Sequence, residues 1–122
     1  MLGIKKKLKT ILPTLKDRNR YLVFEIVSKG KIDDFGTVSG KIRGSALDLY
    51  GQEGVGDMSL RLFKDKWQPI TQRGIVKVTH KNIDKMRASM ALIKDIDGKE
   101  VAVQVIGVSG IMKKAVNNYL AA

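Results

Sequence analysis

RYLVFEIVS, residues 20–28, is the stretch that decides the fold class. Its side chains alternate, with Leu22, Phe24 and Ile26 on one face and Tyr21, Val23, Glu25 and Val27 on the other, the two-residue period of a β-strand. Downstream, Asp33 or Asp34 is placed to cap a helix with apolar positions Phe35, Val38, Ile42, Ala46 and Leu49. That helix is expected to stop near Tyr50–Gly51, where glycine suits a helix C-terminus. Met58, Leu60 and Leu62 alternate with polar residues as a second strand, and Gly74–Thr79 gives a third with Val76 and Val78. Thr79 is placed to cap a second helix with Ile83, Met86, Met90 and Ile93 inward. Asp97–Gly98 reads as a turn into a β-branched fourth strand, Val101–Val108. Ser109 then opens a last helix with Met112, Ala115, Val116, Tyr119 and Leu120 on one side.

The order β-α-β-β-α-β, followed by a C-terminal helix, predicts an α+β domain in the wider α/β class. The plan is a ferredoxin-like, RRM-like sandwich: one antiparallel sheet with two helices on one face. Residues 20–122 make that single domain, and residues 1–19 are a basic arm ahead of it. RNA-recognition modules share the plan with enzymes and interaction domains, so the plan alone does not decide function.

Working towards the N-terminus, MLGIKKKLKTILPTLKDRNR holds Lys5, Lys6, Lys7, Lys9, Lys16, Arg18 and Arg20 against Asp17, a net of +6 out of +11 for the chain. A basic arm on a small domain is the electrostatic footprint of a protein that lies on phosphate. The remaining charge is uneven, with a net of −3 over residues 33–57 and +7 over 61–94, which suggests one basic face and one less basic face. The chain has no cysteine, so a disulfide framework, a thiolate metal site and a cysteine nucleophile are excluded, and its lone His80 is too few for a histidine zinc site. Neither a secretory signal nor a membrane span is visible, and an intracellular, cytoplasmic protein is expected.

Common RNA-recognition modules stack bases on aromatics of the first and third strands. Here the third strand, Arg73-Gly74-Ile75-Val76-Lys77-Val78-Thr79, starts with Arg-Gly but carries aliphatic residues where rings should stand. RNA binding should therefore proceed through phosphate contacts and shape, with steep salt dependence.

Five blocks carry a family resemblance. They are Leu12-Pro13-Thr14-Leu15 with Arg18 and Arg20–Glu25; Tyr50-Gly51 with Gly54; Arg73–Val76; Lys81–Leu92; and Val105–Gly110. Together, in this order, they resemble the archaeal ribonuclease P protein component 2 family, related to the small subunit shared by eukaryotic ribonuclease P and its mitochondrial-RNA-processing relative. The resemblance implies a non-catalytic subunit that braces the catalytic RNA during 5′ maturation of precursor tRNA. It also implies pairing with a TIM-barrel-like subunit in a two-plus-two assembly, and Mg2+ serving the RNA rather than this protein. A ribosomal or other RNA-scaffold protein is the competing class. Gly36, Gly40 and Gly44 depart from the larger residues expected in the family.

The candidate RNA contacts fall in three groups. The arm residues Lys5, Lys6, Lys7, Lys9, Lys16, Arg18 and Arg20 form one, with Ile4, Leu8, Ile11 and Leu12 at helical spacing; membrane or partner binding, or a solubilising tail, are its other readings. Arg73, Lys77, His80, Lys81, Lys85 and Arg87 form the second, with Lys81 and Lys85 projecting from the outer side of one helix; a solvated face is the plainer reading. The third is Gly107-Val108-Ser109-Gly110 with Lys113 and Lys114, where helix-start N–H groups can hold a phosphate or Ser109 can simply cap. No catalytic constellation is visible: Asp33-Asp34 is better explained by a cap than by a metal, and nothing accompanies His80. Gly36, Gly40, Gly44 and Leu47 form an outward stripe, read either as a protein interface or as a frayed helix that starts near Ser45.

Overall fold

Leu22, Phe24 and Ile26 lie fully inside, as the alternation of the first strand requires, beneath two helices that lay Val38, Ile42, Ala46, Met86 and Met90 against them. The computed structural model describes residues 18–120; Lys5, Lys6, Lys7, Lys9 and Lys16 lie outside the described residues. The elements are β1 (Asn19–Ser28), α1 (Phe35–Met58), β2 (Arg61–Leu62), β3 (Arg73–Thr79), α2 (Ile83–Ala91), β4 (Asp95–Ile96), β5 (Lys99–Ser109) and α3 (Met112–Ala115). A π-helical turn, Val116–Leu120, continues α3. All strand pairs are antiparallel, in the order β2-β3-β1-β5-β4, so the domain is α+β. Burying a large apolar side chain stabilises the fold by about 1.5–3 kcal/mol, and β1 contributes four to the core, because Val23 is buried as well.

Of the two cap candidates, Asp34 caps α1, its carboxylate accepting from the Thr37 amide at 3.0 Å and the Thr37 hydroxyl at 2.7 Å. Several other local expectations are corrected. Gly51 leaves helical geometry with φ 71°, yet the helix resumes and runs to Met58, where Ser59 ends it in the left-handed conformation. A single glycine in that region kinks the chain without stopping it, because the apolar positions Val55 and Met58 draw the next segment back onto the core. Met58 therefore belongs to α1, and the second strand shrinks to Arg61–Leu62. Leu49 faces solvent. Thr79 does not cap an α-helix; a 3-10 turn, His80–Asn82, intervenes, and the Thr79 hydroxyl accepts from the Asn82 side-chain Nδ2 instead. A fifth strand also exists, since the Asp97–Gly98 turn joins β4 to β5 as a hairpin.

The second face of the sheet is covered too. Val23 and Ile75 meet Ala115 and Leu120, with Tyr21, Phe63, Ile106, Met112, Val116 and Tyr119 around them. The register of β1 against β5 shifts between Val23 and Phe24, a bulge that leaves Ile106 as the extra residue. Beside it, the Tyr119 ring lies directly over Gly107, in the space a Cβ would need. The C-terminal helix thus fills the centre of the face on which a base-stacking module would hold its ligand.

Candidate nucleic-acid interface

Strand register gathers the cations at one end of the sheet. Tyr21 pairs with Lys77 on β3 and with Ser109 on β5, and Lys77 pairs in turn with Arg61 on β2. A single row across the sheet therefore reads Arg61, Lys77, Tyr21, Ser109. Its side chains share the face of Val23 and Ile75, because neighbours Leu62, Val76 and Leu22 point to the other core. The Arg61 guanidinium lies 5.1 Å from the centre of the Phe63 ring, and Tyr21 and Phe63 meet at 6.2 Å.

Arg18, just before β1, and Arg20, within it, lie at the same end of the sheet, Arg20 on the strand face opposite Tyr21. The His80 amide donates to the Arg18 carbonyl at 2.7 Å, and His80 Nδ1 lies 3.3 Å from the same oxygen. One Arg20 Nη1 sits 3.6 Å from where a Gly110 Cβ would be, so the guanidinium reaches the turn after β5. Lys81 is exposed in the 3-10 turn next to His80. Exposed Lys113 and Lys114 follow that turn in α3. Among the described residues, none of Arg18, Arg20, Arg61, Lys77 and Lys81 lies within 4.0 Å of a carboxylate.

Other candidates do not share the corner. Arg73 stands at the opposite end of β3, where Nε donates to Glu25 at 2.8 Å and Nη1 to the Tyr119 carbonyl at 2.9 Å. The first bond ties Arg73 to β1, and the second holds the C-terminal segment on the sheet. Lys81 lies before α2 begins, so it does not share a helical stripe with Lys85. Lys85 packs its ammonium 5.6 Å from the Tyr50 ring, whose hydroxyl donates to the Lys85 carbonyl at 2.8 Å, and exposed Arg87 lies further along α2. Ser109 belongs to β5 and does not cap a helix; its hydroxyl accepts from the Ile111 amide at 3.1 Å, and Gly107 is the seat of Tyr119.

The carboxylates assemble no metal centre among the described residues. Hydrogen bonds from the Thr37 hydroxyl and then its amide lower the Asp34 pKa, as expected of a cap, while Asp33 pairs with Lys31 at 3.7 Å. Helix α1 is formed from Phe35 onward, so the frayed-start reading of the glycine stripe is overturned. Nothing stands within 4 Å of a Cβ added at Gly40 or Gly44. These two glycines border a shallow groove of about 500 Å³ shared with Leu49, Leu92 and Asp95; Gly36 lies nearer the cap, and Leu47 is exposed one turn beyond Gly44. Among the described residues, no helix is long and apolar enough to cross a membrane.

Fold and site together define a small basic α+β domain that carries Arg18, Arg20, Arg61, Lys77 and Lys81, all without a carboxylate partner among the described residues, at one end of its sheet. The sequence matches the Rpp14/Pop5 family over residues 20–120, and the chain belongs to that family. It is 34% identical over 116 residues to ribonuclease P protein component 2 of Pyrococcus horikoshii, covering 95% of this chain and 94% of that protein. The protein of the same name in Methanosarcina mazei is 31% identical, with 93% of each chain covered. In fold, the chain is similar to one in the cryo-EM structure of yeast ribonuclease MRP, with a TM-score of 0.60 over 78% of this chain and 76% of that one, at 17% identity.

Proposed function

We propose that this chain is a non-catalytic, RNA-binding protein subunit of ribonuclease P that braces the catalytic RNA for 5′ maturation of precursor tRNA. The family match across residues 20–120, with near full-length relatives named as ribonuclease P protein component 2, carries the reading. The cationic margin supports it, because a phosphate backbone suits unpaired arginines and lysines. The order β2-β3-β1-β5 with α1 and α2 on one face supports the ferredoxin-like plan, with β4 as an edge addition. In this reading the RNA performs the hydrolysis with its own Mg2+, and the protein acts in the cytoplasm beside a TIM-barrel-like subunit in a two-plus-two assembly.

The test is cleavage of precursor tRNA by the cognate ribonuclease P RNA at limiting magnesium, with this chain, the TIM-barrel-like subunit, or both. Stimulation that requires both proteins, with no cleavage by proteins alone, is expected. Tight, salt-sensitive RNA binding without stimulation would instead mark a scaffold protein of another particle, such as the ribosome.

The partner surface belongs to Gly36, Gly40, Gly44 and Leu47, where the bare glycine positions let another backbone approach. Gly40→Leu adds about 1 kcal/mol of helix propensity in open space, so the free protein should become more stable. Its affinity for the TIM-barrel-like subunit, or its self-association, should fall at least tenfold by calorimetry or sedimentation. If both survive unchanged, the glycine face is not the interface.

A further inference from the structure

Arg61 and Lys77 stand directly opposite each other across the β2–β3 pair. Like charges at such a position destabilise a sheet, because the Cβ atoms are only about 4.5–5.5 Å apart. Five other cations of the fold do have an acid at hand: Lys29 has Glu100, Lys31 Asp33, Lys41 Asp95, Lys66 Asp65 and Arg73 Glu25. No carboxylate among the described residues relieves this pair. Arg61 is exposed and Lys77 half-buried, and the Phe63 ring lies beneath the guanidinium at 5.1 Å, leaving its N–H edge open.

From this juxtaposition we infer that Arg61 and Lys77 form a two-cation seat for one RNA phosphate. An anion placed between them turns a repulsive pair into two charge-assisted hydrogen bonds. Two cations this close address one phosphate rather than two. Tyr21, next in the row, closes the seat on its inner side, and Arg18 and Arg20 carry the positive field to the neighbouring strand end. This inference rests on the proposed RNA-binding role and gives it a defined contact.

The experiment measures binding of the full chain to its cognate ribonuclease P RNA across a salt series, for Arg61→Gln, Lys77→Gln and the double variant. Each neutralised phosphate contributes about 0.7–0.9 to the slope of log K against log salt. Each single variant is expected to flatten the slope by less than one contact, and the double variant by one contact in total. Lys77→Gln leaves Arg61 on Phe63 and relieves the repulsion, so its Tm at low salt should rise by about 2 °C. Lys29→Gln, at a paired lysine elsewhere, should leave the slope unchanged. A double variant that loses two full contacts would replace the shared seat with two separate ones. Unchanged slopes beside a steep wild-type slope would remove the seat while leaving RNA binding intact. A wild-type chain without salt-dependent binding would instead overturn the reading on which the seat rests.

Discussion

Gly107→Val should lower the stability of the domain by about 3 kcal/mol, a Tm loss of more than 10 °C, with scanning calorimetry as the readout. Gly107 pairs with Val23 on the central strand, and the Tyr119 ring occupies the place of its missing side chain. Any Cβ there must displace the ring or the strand. The ring is the movable part, but it is held: the Tyr119 carbonyl accepts from Arg73 at 2.9 Å, and the following Leu120 carbonyl accepts from Gln68 at 3.0 Å. Lifting Tyr119 therefore strains both bonds and uncovers Val23, Ile75 and Ala115. A double-mutant cycle isolates the cause. Gly107→Ala should be costly in the native background and nearly neutral beside Tyr119→Ala, because the smaller residue vacates the space. Equal costs in both backgrounds would mean that the ring does not create the glycine requirement.

The same contact shows how much of the fold was legible in the sequence. The alternation of residues 20–28 correctly placed Leu22, Phe24 and Ile26 inside, because one-face burial follows from the two-residue period alone. That Val23 is equally buried depends on a helix more than ninety residues later finding its seat, and no local pattern encodes such a match. Gly107 was visible as a glycine near a helix start, which suggested anion binding; its packing role needed the third dimension. In the sequence Gly51 reads as a stop because glycine interrupts a helix, whereas tertiary burial of Val55 and Met58 resumes it.

For the candidate site, the sequence supplied the cations but not their grouping. Arg73 and Lys77 are near neighbours in the chain, yet side chains along a strand advance by about 3.3 Å per residue, so β3 spans most of the sheet. Arg73 ends at the C-terminal segment and Lys77 at the free margin. No sequence pattern marks Arg61, which stands alone in a two-residue strand, and its opposition to Lys77 is fixed only by the register of the β2–β3 pair. A net charge of +7 over residues 61–94 was the one signal that contained it.

Deleting residues 1–10 should produce the largest loss of RNA affinity of any change short of unfolding. The deletion removes Lys5, Lys6, Lys7 and Lys9 and no acidic residue. If each lysine neutralises a phosphate, the slope of log K against log salt falls by about 3, since each contact contributes about 0.7–0.9. A slope difference of 3 over a tenfold change in salt is a factor of about a thousand, so affinities that coincide near 1 M salt should separate by that factor at 0.1 M. Thermal stability should stay unchanged, because β1 begins only at Asn19 and the family match only at residue 20. The chain enters the folded domain through Arg18, at the end of the sheet that also carries Arg20, Lys77, His80 and Arg61, so arm and margin can follow one RNA backbone. The margin variants and the deletion should therefore reduce the slope additively, as distinct contacts do. An unchanged slope and affinity after deletion would take the arm off the RNA and leave the sheet margin as the whole of the binding surface.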